Sequence, residues 1–390
     1  MRILVLNHEI PPIGGGGGRA AEDICRVLAE RGHKIKVLTS HLNGLSYKEE
    51  RDGYQIIRIP ALRTQPFRVS FISMVVYVLA GLWAGLHLIR AFQPDVIHVH
   101  FAVPAGALAW MLSKFTGVPY VLTAHLGDVP GGVPEKTTEW FRWVFPFTHS
   151  IWHDASARVA VSQYTRELAL QNYSEEILVI PNGVDVNALK PESIQVNEPP
   201  VIVFAGRFMP QKAPLQVVQT LKEMMDLPWK CVMIGDGPLL PTVRRLIAES
   251  NLEDRFILTG WITPEEVMKW FDKSDILFMP SLSEGLPVVG VQALAKGLAI
   301  IASHVGGFVD LVDEGQNGYL IERMEKAATF SVKLRNLIED PNLLLLLRNA
   351  SLEKAKSFEI SRIVDQYENI FLGMATEESD FVETKFETKA

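Results

Sequence analysis

A strand–loop–helix cadence that starts twice constrains this chain more than any other feature in it. Residues 2–6 form an apolar, strand-like run and five glycines at 14–18 form a loop. Residues 20–31 then carry Ala21, Ile24, Cys25 and Leu28 at helical spacing. Gly32 closes that helix, and 34–39 read as a second strand. Further strands are predicted at 56–59, 96–100, 120–123, 159–161 and 178–180, with helical patterns between them, including 103–116 and 163–172. The cadence lapses over 186–200, VNALKPESIQVNEPP, a polar stretch closed by a proline pair and so the candidate linker. It restarts at VIVFAGRFMPQKAP, with strands at 230–234, 255–258, 275–279 and 298–302. Alternation of this kind gives parallel sheets with helices on both faces. The expected class is therefore α/β. Two Rossmann-like, doubly wound domains, 1–190 and 198–357, would face a cleft lined by the C-terminal ends of their strands. A last helix pattern follows at 358–374, and the polar tail 375–390 reads as disordered.

Composition narrows the partners. The 390 residues are 48% hydrophobic and 21% charged, ordinary for a chain that buries two large cores. A net charge of −7 argues against nucleic acid as a partner. Residues 1–195 hold 18 basic and 17 acidic side chains, the remainder 20 and 28, so the first half is the better face for an anionic surface. Cys25 and Cys231 stand far apart in no metal-like spacing, which fits a reducing, cytoplasmic setting. The opening MRILVLNHEIPP is too short in apolar residues for a secretory segment and reads as the first strand.

Residues 69–89 contain no formally charged side chain over 21 positions, enough to cross a bilayer. Against a span stand Ser70, Ser73, Gly81, Gly85 and His87, the strand pattern that follows directly, and the lack of a returning span. A helix buried in or against the first domain is favoured. A helix whose outer face touches a membrane surface ranks second, and a true span last. The segment 137–154, TTEWFRWVFPFTHSIWHD, holds three of the eight tryptophans; packing in a helical subdomain is favoured there over an acceptor or membrane-docking surface.

Chemistry concentrates at 281–297, SLSEGLPVVGVQALAKG. Pro287 suits the first turn of a helix that ends at Lys296 and Gly297. Glu284 then lies on the loop at the positive end of the helix dipole, and Gln292 lies inside the helix. A carboxylate there can grip hydroxyls, while N–H groups of Gly285, Leu286 and Val288 can grip phosphate oxygens. Hydroxyls beside a diphosphate describe a nucleotide sugar. Arg207 and Lys212, in AGRFMPQKAP, are two cations beside a helix start, suited to a diphosphate leaving group, although surface cations unrelated to catalysis would look the same. The glycine run suits phosphate cradling or a plain flexible connector. It matches neither G-x-G-x-x-G nor a Walker loop. A lone His125 after a strand is more often structural, and His98 with His100 lacks a third ligand for zinc.

These stretches resemble the retaining GT-B glycosyltransferases of the family-4 (group 1) type. Residues 281–297 resemble their E-x7-E region, and Arg207 with Lys212 their R-x4-K pair. Three positions depart from the pattern: Gln292 stands for the second Glu, Ala213 for a glycine, and Asp310 for a Glu. The resemblance implies Glu284 on the hydroxyls of the transferred sugar, Gln292 on ribose, and Arg207 and Lys212 on the departing diphosphate. It implies His125 near the donor sugar, with Asp128 nearby, and Gly15, Gly16 and Gly17 approaching the donor phosphates and acceptor. Gly206, Gly235, Gly237, Trp261 and Ile262 would line the nucleotide, with Gly285, Leu286, Pro287 and Val288 at the phosphates. It also implies a last helix packed back on the first domain.

The activity implied is retaining transfer of a hexosyl unit from a nucleotide-diphosphate sugar to a glycan or lipid-linked acceptor. No D-x-D run occurs to hold a cation on the diphosphate, so no metal cofactor is expected. Peripheral contact with the inner face of a membrane is a further expectation. Two alternatives stay open: a nucleotide-sugar-binding protein without transferase activity, for which Gln292 would be the lesion, and a GT-B epimerase. A phosphorylase is disfavoured by the short chain and the lack of a pyridoxal-phosphate lysine motif.

Overall fold

The computed structural model describes all residues except 67–68, 134–140, 323–326 and 388–390. The chain divides into two compact units, Met1–Gly183 with Ile360–Ala390, and Val184–Glu359. Both are parallel-sheet α/β units.

The strands of the first unit are β1 (Arg2–Leu6), β2 (Lys34–Leu42), β3 (Lys48–Arg51), β4 (Tyr54–Arg63), β5 (Val96–His100), β6 (Tyr120–Ala124), β7 (Ala157–Ala160) and β8 (Leu178–Val179). Among the described residues they form one sheet in the order β3-β4-β2-β1-β5-β6-β7-β8, parallel except where β3 pairs with β4. The helices are α1 (Gly16–Glu30), α2 (Phe71–Phe92), α3 (Ala107–Thr116), α4 (Phe141–His153) and α5 (Gln163–Leu170). Alternate residues of each strand feed opposite faces. Leu4, Leu6, Leu38 and Leu122 pack with α2, α3 and α4, while Ile3, Val5, Val37 and Val121 pack with α1 and the chain's last helix.

The second unit adds α6 (Val186–Leu189), β9 (Val201–Ala205), α7 (Pro214–Lys222), β10 (Lys230–Ile234), α8 (Leu240–Glu249), β11 (Phe256–Gly260) and α9 (Pro264–Phe271). There follow β12 (Ile276–Met279), α10 (Val288–Ala295), β13 (Ala299–Ser303), α11 (Phe308–Leu311), β14 (Gly318–Ile321), α12 (Ala327–Glu339) and α13 (Pro341–Ala355). The sheet order is β11-β10-β9-β12-β13-β14, and its central strands are buried on both faces, as Ile202, Val203, Phe278 and Ile301 show. A buried Arg348–Asp275 pair anchors the polar segment ahead of β9. Asp275 accepts from the N–H of Asn197 and of Val201, at 3.1 and 2.7 Å, and Arg348 donates to Gln195 O. The last helix, α14 (Ile360–Glu387), returns to the first unit, where Ile363, Val364, Tyr367 and Phe371 are buried.

Several elements differ from the sequence reading. The glycine run is mostly helix: α1 starts at Gly16, with Gly15 as its N-cap, because backbone N–H groups there need no partner in the first turn. The helix predicted over 103–116 is regular only from Ala107, after one wide π-type turn over Ala102–Gly106 that Phe101 enters at φ +72°. Charged β3, KEER, is an edge strand invisible to a hydrophobic pattern, and β14 is short. Where a disordered tail was predicted from 375, α14 continues to Glu387. No proline or glycine lies between 374 and 387, and an anchored helix extends by one hydrogen bond per residue.

Candidate active site

In the second unit, β9, β10 and β11 run outward one way and β12, β13 and β14 the other. Strand order therefore reverses between β9 and β12, where ligands of doubly wound sheets bind beyond the strand C-termini. The loops leaving those two strands are 206–213 and 280–287, the two stretches singled out in the sequence.

The two loops are tied together by a backbone bond and a side-chain bond. Leu282 N–H donates to Gln211 O at 2.8 Å, and the side-chain amide of Gln211 donates to Ser283 O at 3.1 Å. That register brings Lys212 Nζ to both carboxylate oxygens of Glu284, at 2.6 and 2.7 Å. Glu284 is 4% exposed, and a charge-assisted pair in so dry a place is strongly held. Behind it, Gly306 sits at φ +55°, and a Cβ there would fall 1.7 Å from Glu284 O; one on Gly307 would fall 2.0 Å from Gly285 O. Only glycine lets the end of β13 back the carboxylate loop so closely.

Half-buried Arg207 is positioned by the same loop, and its side chain makes no ion pair or hydrogen bond among the described residues. The hydroxyls of Ser281 and Ser283 are buried without partners. A free cation and two unsatisfied hydroxyls beside a buried ion pair suit a polar, anionic ligand.

Gly206 and Gly235 follow β9 and β10, and Gly260 ends β11. Gly206 N–H donates to Ile234 O and Gly235 N–H to Gly260 O, at 3.0 and 2.9 Å, so these three strand ends meet. Gly237 packs on Phe208, with a would-be Cβ 2.6 Å from its carbonyl oxygen. Trp261 just beyond is 56% exposed, and Ile262 is half-buried. Pro287 is the N-cap of α10 (φ −70°, ψ 113°) and not a residue of its first turn. Its own ψ is extended, so the helix starts at Val288. Gly285, Leu286 and Pro287 thus precede α10, Val288 opens it, and Gln292 lies half-buried inside it.

The first unit has its own reversal, between β1 and β5. The ring of His125, just past β6, is tilted against that of Phe101, just past β5, with ring centroids 4.4 Å apart. Its Nε2 lies 3.3 Å from His100 Nδ1. His8, just past β1, meets Phe101 edge-on at 5.2 Å. The start of α1 closes over them: a Cβ on Gly17 would lie 2.6 Å from Phe101 Cζ and 3.2 Å from His125 Nδ1, whereas one on Gly15 would meet nothing within 4 Å. Burial lowers the pKa of His8 and of His125 to about 4 and of His98 to about 3, and it holds His100 well below the ordinary value. His98 contacts Thr123 Oγ1 at 3.0 Å, and that oxygen lies 3.2 Å from the Tyr367 hydroxyl of α14. Asp128 accepts from Ala102 N–H at 2.6 Å, and burial raises its carboxyl to about 7.

The sequence reading missed His8 and Phe101; their signal was position, each being first or second beyond a strand that flanks the reversal. Ser162 caps α5, accepting from Thr165 N–H at 3.1 Å. Of the tryptophan-rich segment, 137–140 lies outside the described residues, while Trp152 is fully buried and stacked on Tyr173. Among the described residues no group of three His, Cys, Asp or Glu side chains is placed to hold a metal ion.

Comparison with known proteins gives a consistent result. Residues 185–356 match the family described as glycosyl transferases group 1, and residues 14–188 match glycosyltransferase family 4. An uncharacterized glycosyltransferase of Methanocaldococcus jannaschii is 27% identical over 364 residues, 93% of this chain and 96% of the relative. Sucrose-phosphate synthase from Thermosynechococcus elongatus superposes with a TM-score of 0.84 at 19% identity, over 96% of this chain and 99% of that one. HepE of Anabaena, solved in complex with UDP-glucose, gives 0.74 at 19% identity, over 97% of this chain and 100% of its own.

Proposed function

Since the chain belongs to the group 1 glycosyltransferases and has the GT-B fold, we propose that it transfers a hexosyl unit from a nucleotide-diphosphate sugar to a glycan or lipid-linked acceptor, with retention and without a metal ion. The observation that carries this reading is the buried Lys212–Glu284 pair at the β9/β12 reversal, with Arg207, whose side chain has no partner among the described residues, on the same loop as Lys212.

In this reading Glu284 accepts hydrogen bonds from hydroxyls of the donor sugar, and Gln292 bonds the ribose through its amide. The bond from the anomeric carbon to the β-phosphate oxygen breaks, and negative charge gathers on that phosphate. Arg207 and Lys212 stabilise it, each worth roughly 3 kcal/mol in the transition state. The acceptor oxygen bonds to the anomeric carbon on the face the phosphate vacates, and its proton passes to the leaving phosphate. Glu284, engaged by Lys212 at both oxygens, is a poor nucleophile, which favours this course over a covalent intermediate. The start of α1, with Gly15, Gly16 and Gly17, serves the acceptor side, and His125 is the residue turned toward the donor sugar. A lipid-linked acceptor would bring the protein to the cytoplasmic face of a membrane as a peripheral enzyme.

A thermal-shift panel of UDP-, GDP- and ADP-sugars, with and without EDTA, tests the reading. One nucleotide class should raise Tm whether or not the chelator is present. No shift with any donor refutes donor binding, and a shift that EDTA abolishes refutes metal independence. Gln292 supports a second reading, donor binding without transfer. In that case a donor that shifts Tm would be neither transferred nor hydrolysed, and Gln292→Glu would restore turnover.

A further inference from the structure

We propose that the outer surface of the α2–α3–α4 layer docks the first unit onto an anionic lipid bilayer.

A helix of a soluble protein turns its apolar stripe to the core, but α2 does the reverse. Its inward residues recur at every fourth position, as Ser73, Tyr77, Gly81, Gly85 and Ile89. The two glycines admit α3: a Cβ on Gly81 would lie 2.5 Å from Leu108 Cδ2, and one on Gly85 2.7 Å from Leu112 Cδ1. The large apolar side chains point outward instead, with Ile72, Leu79 and Trp83 exposed by 66, 62 and 69%. On the same face of the sheet, α3 exposes Phe115 and α4 exposes Phe147. Soluble monomers seldom leave such patches without a partner.

Charge identifies the occupant. Together α2, α3 and α4 hold 45 residues without one Asp or Glu, and their charged residues are Arg90, Lys114 and Arg142. The whole chain has 45 acidic side chains in 390, so about five would be expected in a stretch of that size. Helices elsewhere on the same sheet keep theirs, among them exposed Glu167 on α5, at the edge of this face, and Glu22, Asp23 and Glu30 on α1 and Asp365 and Glu368 on α14 of the opposite face. A second protein copy needs apolar complementarity but gives no reason to exclude carboxylates. A surface of anionic headgroups does, and it attracts Arg and Lys at its edge. The nearest acid in sequence, Asp154, is held by Lys114 at 3.0 Å and by Trp110 Nε1 at 2.7 Å. Trp83, tilted against His87 at 4.5 Å, and exposed Arg90 supply an interfacial aromatic and a cation for the headgroup level. The helix lies on the bilayer and does not cross it, because its inner stripe is fixed to the sheet. Ser73 Oγ donates to Ala61 O at 2.5 Å and Tyr77 OH to Leu38 O at 3.2 Å.

Only the purpose of docking, reach to a lipid-linked acceptor, rests on the transferase reading. The test is flotation of the full-length protein with phosphatidylcholine vesicles, with and without phosphatidylglycerol. Wild type should float with the anionic vesicles and be released by salt. The double variant Leu79→Glu/Trp83→Glu should bind about tenfold less while keeping the wild-type thermal shift with donor. Should that pair fail to fold, Leu79→Gln/Trp83→Gln, free of added charge, must show the same loss. Wild type remaining in the soluble fraction, or variants floating like wild type, overturns the proposal. So does a solution dimer, dissolved by the double variant, that ignores vesicles. Flotation uses no donor, so its failure leaves the nucleotide shift to be judged separately.

Discussion

The two units reach the same architectural point, a reversal of strand order, and furnish it with opposite chemistry. In the second unit the point is occupied by fixed charge: Arg207, and Lys212 locked on Glu284. In the first it is occupied by histidines that burial keeps neutral and by the ring of Phe101. Nine of the ten histidines belong to the first unit, and His304 is the exception. The fold sets where a ligand can sit, and the residues beyond the strand ends set its kind. Fixed cations suit a departing diphosphate, and neutral donors and acceptors suit an incoming hydroxyl.

The hardest test of this contrast removes the fixed charge. Lys212→Ala should lower turnover by about 100-fold or more. It should also lower Tm, since a carboxylate 4% exposed loses its partner, at a cost of roughly 1–3 kcal/mol. Arg207→Ala should lower turnover comparably and leave Tm unchanged, because no side-chain partner among the described residues is orphaned. Wild-type turnover in Lys212→Ala would remove the charged pair from the mechanism; equal Tm losses in both variants would show that Arg207 is structurally held after all.

The second test sharpens the histidine side. His8 and His125 titrate at about 4 and His98 at about 3 in the folded protein, below the ordinary 6.5. Their contribution to stability is full above pH 6.5 and is lost as pH falls toward 4, where the unfolded chain binds protons first. Asp128, raised to about 7, acts the other way, favouring the folded state as pH drops from 7, but it is one group against four buried histidines. Melting followed by calorimetry should show Tm falling by roughly 10 °C between pH 6.5 and 5. The loss should lie in the first unit, since the second unit's His304 is at the surface. A flat profile would mean that the cluster is hydrated or already charged.

Both the legible and the hidden parts of this molecule follow from range. The doubly wound class was written in local periodicity, and Arg207, Lys212 and Glu284 stood out because each follows a strand-like run within a few residues. Their pairing was not legible, because 72 residues separate Lys212 from Glu284 and only the β9–β12 neighbourhood joins them. The cluster of His8, Phe101 and His125 draws on three strand ends for the same reason. Local readings failed where local signals conflict. The glycine run looks like a loop by propensity, yet it forms the first turn of α1, whose later residues supply the packing. The uncharged run at 69–89 reads as a helix buried in or against the first domain, and α2 does pack there, yet Phe71, Ile72, Val75, Leu79 and Trp83 face outward.

The smallest expected effect is also the most discriminating, because it separates two glycines that the sequence makes equivalent. Gly17→Ala would gain helix propensity by about 1 kcal/mol, but its methyl would press on Phe101 and His125 from 2.6 and 3.2 Å. The Phe101 backbone, at φ +72°, already occupies a region costly for a bulky residue and has little freedom to yield. The displacement should therefore reach the His125 ring, lowering kcat by about tenfold with KM for the donor unchanged. Gly15→Ala, whose methyl meets nothing within 4 Å, should stay within about twofold of wild type. If the two variants behave alike, contact with the start of α1 does not position His125, and the first unit's chemistry must be sought elsewhere among its strand ends.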